Sequence, residues 1–204
     1  MNRHPVVAAL YDRMAQPAEK AGMRDMRAEL LSEARGRTLE IGAGTGLNLA
    51  QYGSEVTELV LLEPDPFMAK RLRRRIAAEA PSGASVDVVE ATAEQLPFEH
   101  ESFDTVVATL VLCSVEDPGR VLGEVARVLK PSGRFLYLEH VRSESPRLAR
   151  WQDRLERPWG WFAGGCHPNR DTAAVLARGG FDLNGVESGT LPRSALLIRP
   201  VISG

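Results

Sequence analysis

The chain has 204 residues, 44% of them hydrophobic, with 25 Lys and Arg against 27 Asp and Glu for a net charge of −2. That supports one full-sized core in a single domain spanning 1–204, and the even charge removes the whole-chain basic footprint of a nucleic-acid binder. The two cysteines, Cys113 and Cys166, are far apart without metal-ligand spacing, which argues against a disulfide scaffold and a zinc ribbon.

The first residues contain no apolar run long enough for a signal-peptide core, and no stretch of about 18 or more uncharged apolar residues occurs anywhere. The expectation is a cytoplasmic protein with no integral membrane segment. Residues 1–35 read as an N-terminal helical cap interrupted near Pro17. From Arg37 to Val141 short β-branched runs alternate with helical patterns: "RTLEIGA", "LVLLEP", "SVDVVEA", "FDTVVATLVL" and "GRFLYLEHV" are strand candidates. "DPFMAKRLRRRIAAEA" and "DPGRVLGEVARVLKPSG" carry apolar residues at helical spacing between them. Such alternation needs crossover connections, so the expected fold is α/β, a Rossmann-like doubly wound and mostly parallel sheet. Residues 143–180, rich in Trp, Pro and Gly, read as a lid or substrate insert. "FDLNGVESGT" and "SALLIRPVISG" read as two further strands, a hairpin giving an antiparallel strand near the C-terminus.

In open α/β sheets ligands bind beyond the carboxyl ends of the strands, at the first strand-to-helix turn above all. Gly42, Gly44 and Gly46 of "LEIGAGTG" sit at that turn, with a helix expected to start near Gly46 and offer its free N–H groups. Glu63 follows 17 residues after Gly46, at the tip of the next strand, where a carboxylate accepts hydrogen bonds from both hydroxyls of a ribose. Dinucleotide enzymes place the third glycine one position later, where this chain has Leu47, which disfavours an NAD-linked oxidoreductase.

These motifs resemble the class I S-adenosylmethionine-dependent methyltransferases. The resemblance implies S-adenosyl-L-methionine as cofactor and S-adenosyl-L-homocysteine as product. It places Glu40 toward the methionine amino group, Gly42, Ala43, Gly44 and Gly46 along the methionine and ribose, and Glu63 with Pro64 at the ribose. "EATAEQLPF" resembles the adenine-contacting segment, with Ala93 and Glu94. "FDTVVATLVLCSVEDP" resembles the fourth motif, with Thr109 and Leu110 beside the methionine, and Tyr11 resembles an N-terminal aromatic that covers the cofactor. "TLVLCSV", "LEHV" and "WQDRLERPWGWFAGGCHPNRDT" together resemble the thiol S-methyltransferases of animals and their soluble bacterial relatives, with ubiquinone-type C-methyltransferases more distant. The animal members carry an apolar N-terminal anchor, and the expectation here is a chain without one.

A small-molecule acceptor is therefore expected, a thiol or sulfide first. The alternatives are C-, O- or N-methylation of a quinone precursor, phenol or phospholipid head group, or a cofactor-binding regulator without turnover. A thiol reacts as its thiolate, so a basic neighbour helps. His140 at the tip of "LEHV" is the candidate general base, and Glu139, Trp151 and Arg170 are candidate acceptor-site residues. Trp159, Trp161 and Phe162 extend the aromatic group around Trp151 and serve equally as packing. Cys113 reads as buried packing. Cys166 beside His167 is poor geometry for joint ligation of one metal, and no metal is expected. The basic run Lys70–Arg75 reads as the solvated face of an amphipathic helix, so no nucleic-acid partner is expected. No motif sets the oligomeric state.

Overall fold

The computed structural model describes residues 5–184, 186–190 and 200–204. Helix α1 (Pro5–Ala18) runs through a π-helical turn at Glu19–Met23 into α2 (Arg24–Leu31). The expected interruption near Pro17 falls a few residues later, at Gly22, whose φ of 125° is outside the helical region. Pro17 sits inside α1, and the chain turns where a glycine permits it.

Seven strands follow: β1 (Gly36–Ile41), β2 (Val56–Leu62), β3 (Ser85–Val89), β4 (Phe103–Thr109), β5 (Leu129–His140), β6 (Glu187–Thr190) and β7 (Pro200–Ser203). Their order is β3-β2-β1-β4-β5-β7-β6, parallel from β3 to β5, with β7 antiparallel to both β5 and β6. The expected α/β, mostly parallel sheet with an antiparallel strand near the C-terminus is thus observed. Of the stretch "SALLIRPVISG", residues 194–199 lie outside the described residues, and β7 occupies its end.

Helix α3 (Pro66–Glu79) and α4 (Pro118–Val128) both start at an Asp-Pro pair. Asp65 accepts from the Phe67 N–H at 2.7 Å and Asp117 from the Arg120 N–H at 3.0 Å, satisfying first-turn donors, while each proline occupies a position that needs none. The expected helix at Gly46 does not form. Between β1 and β2 the chain makes only a short 3-10 turn at Leu49–Gln51. Here the glycines take left-handed conformations, with φ of 63° at Gly42 and 86° at Gly46, which break a right-handed helix. Leu49 and Tyr52 then fill the space over the sheet that a helix would have filled.

Strict alternation along the strands splits the core into two faces. Leu39, Ile41, Val60, Leu62, Val106 and Ala108 pack against Val121, Leu122, Val125 and Val128 of α4 and Leu176 of α6 (Thr172–Arg178). Leu59, Leu61, Val107 and Leu136 face the other way, onto Leu31 of α2 and Leu72 of α3. Each fully buried aliphatic side chain contributes about 1.5–3 kcal/mol, so this two-sided burial fixes strand register. Glu40, Thr109 and His140 share the second face by alternation, at the carboxyl ends of their strands.

Candidate functional site

Order reverses between β1 and β4, and ligands of such sheets bind at that switch point. Ile41 pairs with Leu62 on one side and Ala108 on the other, so the next residues, Gly42, Glu63 and Thr109, stand level at the three tips. Around them is a polar pocket lined by Tyr11, Arg27, Glu40, Gly42, Ala43, Gly44, Thr45, Leu47, Asn48 and Thr109. Six of the twelve residues assigned to the cofactor from sequence are among them: Tyr11, Glu40, Gly42, Ala43, Gly44 and Thr109.

At two of its glycines the loop has no room for a side chain. A Cβ on Gly42 would lie 2.6 Å from Val111 Cγ2, and one on Gly46 would lie 2.7 Å from the terminal carbons of both Leu49 and Leu72. Glu63 pins the loop: its carboxylate accepts from the Gly44 N–H at 2.8 Å and the Asp65 N–H at 2.8 Å. Burial pushes the Glu63 carboxyl up, opposed by those two bonds.

Glu40 is 2% exposed and accepts from Asn48 Nδ2 at 2.9 Å and Tyr52 OH at 2.7 Å. Burial raises its carboxyl to about 7, against the lowering effect of Tyr52, Arg27 and Asn48. Arg27 joins the group by donating from Nη1 to Asn48 Oδ1 and Thr109 Oγ1, both at 2.9 Å, and from Nε to Glu19 at 3.1 Å. Sequence reasoning missed Arg27, Asn48 and Tyr52. The signal for Arg27 was periodicity: Met23, Arg27 and Leu31, spaced by four, are 2%, 4% and 0% exposed, so a cation occupies a core-facing helical position. Tyr11, its phenol pushed up by burial, covers the pocket from α1. That helix is tied down where Asp12 accepts from Thr45 Oγ1 and from Arg75 at 2.8 Å.

The other expected cofactor residues, Gly46, Glu63, Pro64, Ala93, Glu94 and Leu110, are not among its lining residues. Pro64 follows Glu63. Ala93 is buried in the α4-side core, and Glu94 accepts from the Glu116 N–H at 3.2 Å, joining the loop after β3 to the start of α4. Leu110 has φ of 60°, a conformation rare for a branched side chain, and its N–H is bonded to the Leu138 carbonyl at 2.8 Å.

The acceptor-side residues divide. The Glu139 carboxylate is fully buried and turned into the loop after β4, accepting from the N–H groups of Val111 and Leu112 at 2.8 Å and Cys113 at 3.1 Å. Arg170 donates to the carbonyls of Leu112 and Val115, bracing the same loop, and Asp171 instead caps α6. Trp151 is on helix α5 (Pro146–Phe162), 53% exposed, with the Arg154 guanidinium 5.9 Å from its ring centre. It is not among the residues lining the pocket at the strand tips, and Gln152, at 0% exposure, takes the inward face of α5 with bonds to the Ser143, Val141 and Pro168 backbones. Trp161 is 82% exposed, and the Phe162 side chain lies outside the described residues. His167 pairs with Glu156 at 2.7 Å.

His140 is buried with Nδ1 3.6 Å from Cys113 Sγ and 3.4 Å from Cys166 Sγ, and the two sulfurs lie 3.8 Å apart. The two cysteines, read from the sequence as far apart without metal-ligand spacing, are thus brought together with His140. Cys166 meets His140 and Cys113, distant in sequence, rather than its neighbour His167.

With the geometry in place, the likeness to known proteins is specific. A family model described as a methyltransferase domain matches residues 39–137, from β1 through β5. The human thiol S-methyltransferase TMT1A is 37% identical over 169 residues, covering 81% of this chain and 68% of the relative. This chain belongs to the class I S-adenosylmethionine-dependent methyltransferases. The human thiol S-methyltransferase TMT1B is 34% identical over 199 residues, covering 92% of this methyltransferase and 80% of the relative. A crystal structure from Thermotoga maritima, described as a possible histamine N-methyltransferase, shares the fold with a TM-score of 0.69 at 24% identity, covering 98% of this chain and 91% of that one. The cofactor of the family, S-adenosyl-L-methionine, fits the residues present. Glu40 and Glu63 are buried carboxylates that close no ion pair among the described residues, and they flank a loop with no room for a side chain at Gly42 or Gly46.

Proposed function

We propose that this methyltransferase methylates a small thiol or sulfide. The observation that carries the acceptor class is the 34–37% identity with thiol S-methyltransferases over most of the chain. S-adenosyl-L-methionine supplies a methyl group on a cationic sulfur. In this reading Glu40 holds the amino group, Glu63 the ribose hydroxyls, and the Gly42–Gly46 backbone the space between them. Tyr11 and α1 exclude water from above. Alignment of this kind is worth roughly 7–11 kcal/mol in favourable cases, so no elaborate acid-base machinery is needed. His140 stands at the acceptor end, with Nδ1 directed at two sulfurs. Glu139 and Arg170 act as positioning groups that fix the loop carrying Cys113.

No helix among the described residues is long and apolar enough to cross a membrane. We place the protein in the cytoplasm, whose reducing environment keeps thiol acceptors reduced. We assign it no nucleic-acid partner: Arg73 is paired with Glu90 and Arg75 with Asp12, so the basic run of α3 is partly neutralised by its own surface. An acceptor panel of alkyl thiols, sulfide, catechols and quinols, read by formation of S-adenosylhomocysteine, tests the acceptor. Turnover with thiols or sulfide is expected; turnover confined to catechols or quinols would contradict it.

A further inference from the structure

The three distances in the Cys113, His140 and Cys166 cluster have a geometric meaning. A zinc ion binds thiolate at about 2.3 Å and imidazole at about 2.0–2.1 Å in a tetrahedron, whose edges are then about 3.8 Å between sulfurs and about 3.5–3.6 Å between sulfur and nitrogen. The sulfurs here are 3.8 Å apart, and His140 Nδ1 is 3.6 and 3.4 Å from them. All three ligand atoms lie within 4.8 Å of one another, and the residues are buried. They form one face of such a tetrahedron.

Contacts that do not involve the sulfurs hold this face in place. Three N–H bonds to Glu139 fix the segment Val111–Cys113, and Arg170 braces it from the carbonyl side. The His167 N–H donates to the Cys113 carbonyl at 2.7 Å, joining the Cys166 loop to the Cys113 loop. His140 is fixed by strand pairing with Val201 and by Thr172, which donates to its carbonyl.

We propose that Cys113, His140 Nδ1 and Cys166 bind a zinc-type divalent ion whose fourth position takes the sulfur of the methyl acceptor. This rests on the thiol reading above and deepens it. Three protein ligands with one open position is the pattern of reactive rather than structural zinc sites, and the ligand set of two thiolates and one imidazole suits zinc over magnesium or calcium. The cluster lies on the loop that follows Thr109, which lines the cofactor pocket, and Val111 of that loop lies against Gly42; the proposal puts the fourth position on this side of the cluster. Coordination ionises the incoming thiol, whose proton leaves to solvent. The new sulfur–carbon bond then forms as the carbon–sulfonium bond breaks, and that bond's electron pair stays on the departing sulfur. The neutral thioether is a weak ligand and is displaced by the next thiol.

Cobalt(II) is the probe, added to reduced, metal-stripped full-length protein. Expected are one ion per chain, thiolate-to-cobalt charge transfer in the near ultraviolet, and the strong visible bands of a tetrahedral site. Charge transfer should fall to about half in Cys166→Ser, which keeps the fold polar-matched at that position. Addition of ethanethiol should strengthen charge transfer, because a third thiolate joins. Absence of the cobalt bands, or a spectrum indifferent to ethanethiol, overturns the proposal. So does a disulfide between Cys113 and Cys166 in protein isolated without reductant. If the metal-stripped protein methylates thiols as fast as the zinc-loaded one, the site fails while the thiol reaction stands. If ethanethiol shifts the spectrum and no thiol is ever methylated, the site stands and the thiol reaction fails.

Discussion

At the residue scale, the two buried carboxylates beside the glycine loop are proposed to hold the donor in different ways. Glu63 holds Gly44 and Asp65 by their N–H groups and still offers lone pairs to a ribose. Glu63→Ala is expected to weaken S-adenosylmethionine binding by roughly 1–3 kcal/mol in calorimetric titration, since it removes charge-assisted hydrogen bonds and frees the loop. Unchanged affinity would remove Glu63 from the site. Glu40 has a carboxyl raised from 4.5 to about 7 by burial, which means that its neutral form is favoured by folding. Its contribution to stability is present below pH 4.5 and lost as pH rises through about 7, up to about 3 kcal/mol. Thermal denaturation of the free protein should therefore show a fall in Tm across that window that is reduced in Glu40→Gln; an identical slope would refute the assignment. Glu63 was singled out in the sequence by its place at the next strand's tip, 17 residues after Gly46, and Glu40 by the resemblance of "LEIGAGTG" to the family motif. Arg27 was partly legible, as a cation at an apolar helical spacing. Cys166 was not: its partners, Cys113 and His140, come from two other strand ends, and only topology joins them.

At the element scale, local chemistry foretold most of the starts and stops. The Asp-Pro pairs mark the beginnings of α3 and α4, and the apolar runs mark β1 to β5. The misplaced elements each have a physical cause. The helix expected at Gly46 is replaced by a short 3-10 turn, because left-handed glycines and the inward-facing Asn48, Leu49 and Tyr52 use the chain to build the pocket instead. The break expected near Pro17 moves to Gly22, since a proline late in a helix is tolerated when the chain can turn just beyond it. Helix α1 depends on a small set of ties, and Asp12 provides two of them, to Thr45 and Arg75. Asp12→Ala should loosen α1 over the glycine loop. Expected are faster limited proteolysis near α1 and cofactor affinity lowered about three- to tenfold, as for one or two partly exposed polar contacts, with little change in Tm. Equal proteolysis of both proteins would show that α1 is held by other contacts.

At the scale of the whole molecule, the doubly wound sheet brings residues from every part of the chain to one rim. Tyr11 and Arg27 come from the N-terminal helices, Glu40 and Glu63 from β1 and β2, Thr109 from β4, His140 from β5, and Cys166 from the segment after α5. In the proposed reading donor and acceptor ends meet at the loop 110–113, which Glu139 holds by three N–H bonds and Arg170 braces by two carbonyls. The fold class was readable from strand-helix alternation alone. The acceptor side was less so, since 143–180 offered aromatic and polar residues whose exposure decides their use, and Trp151 turned outward where Gln152 turned in. The central claim is methyl transfer to sulfur within this rim. It is tested most directly by incubating the zinc-loaded protein with ethanethiol and S-adenosylmethionine carrying a deuterated methyl group, and analysing the products by mass spectrometry. The prediction is S-adenosylhomocysteine and trideuteromethyl ethyl sulfide in equal amounts. Label found only on an oxygen, nitrogen or carbon acceptor, with ethanethiol unmodified, would contradict the account.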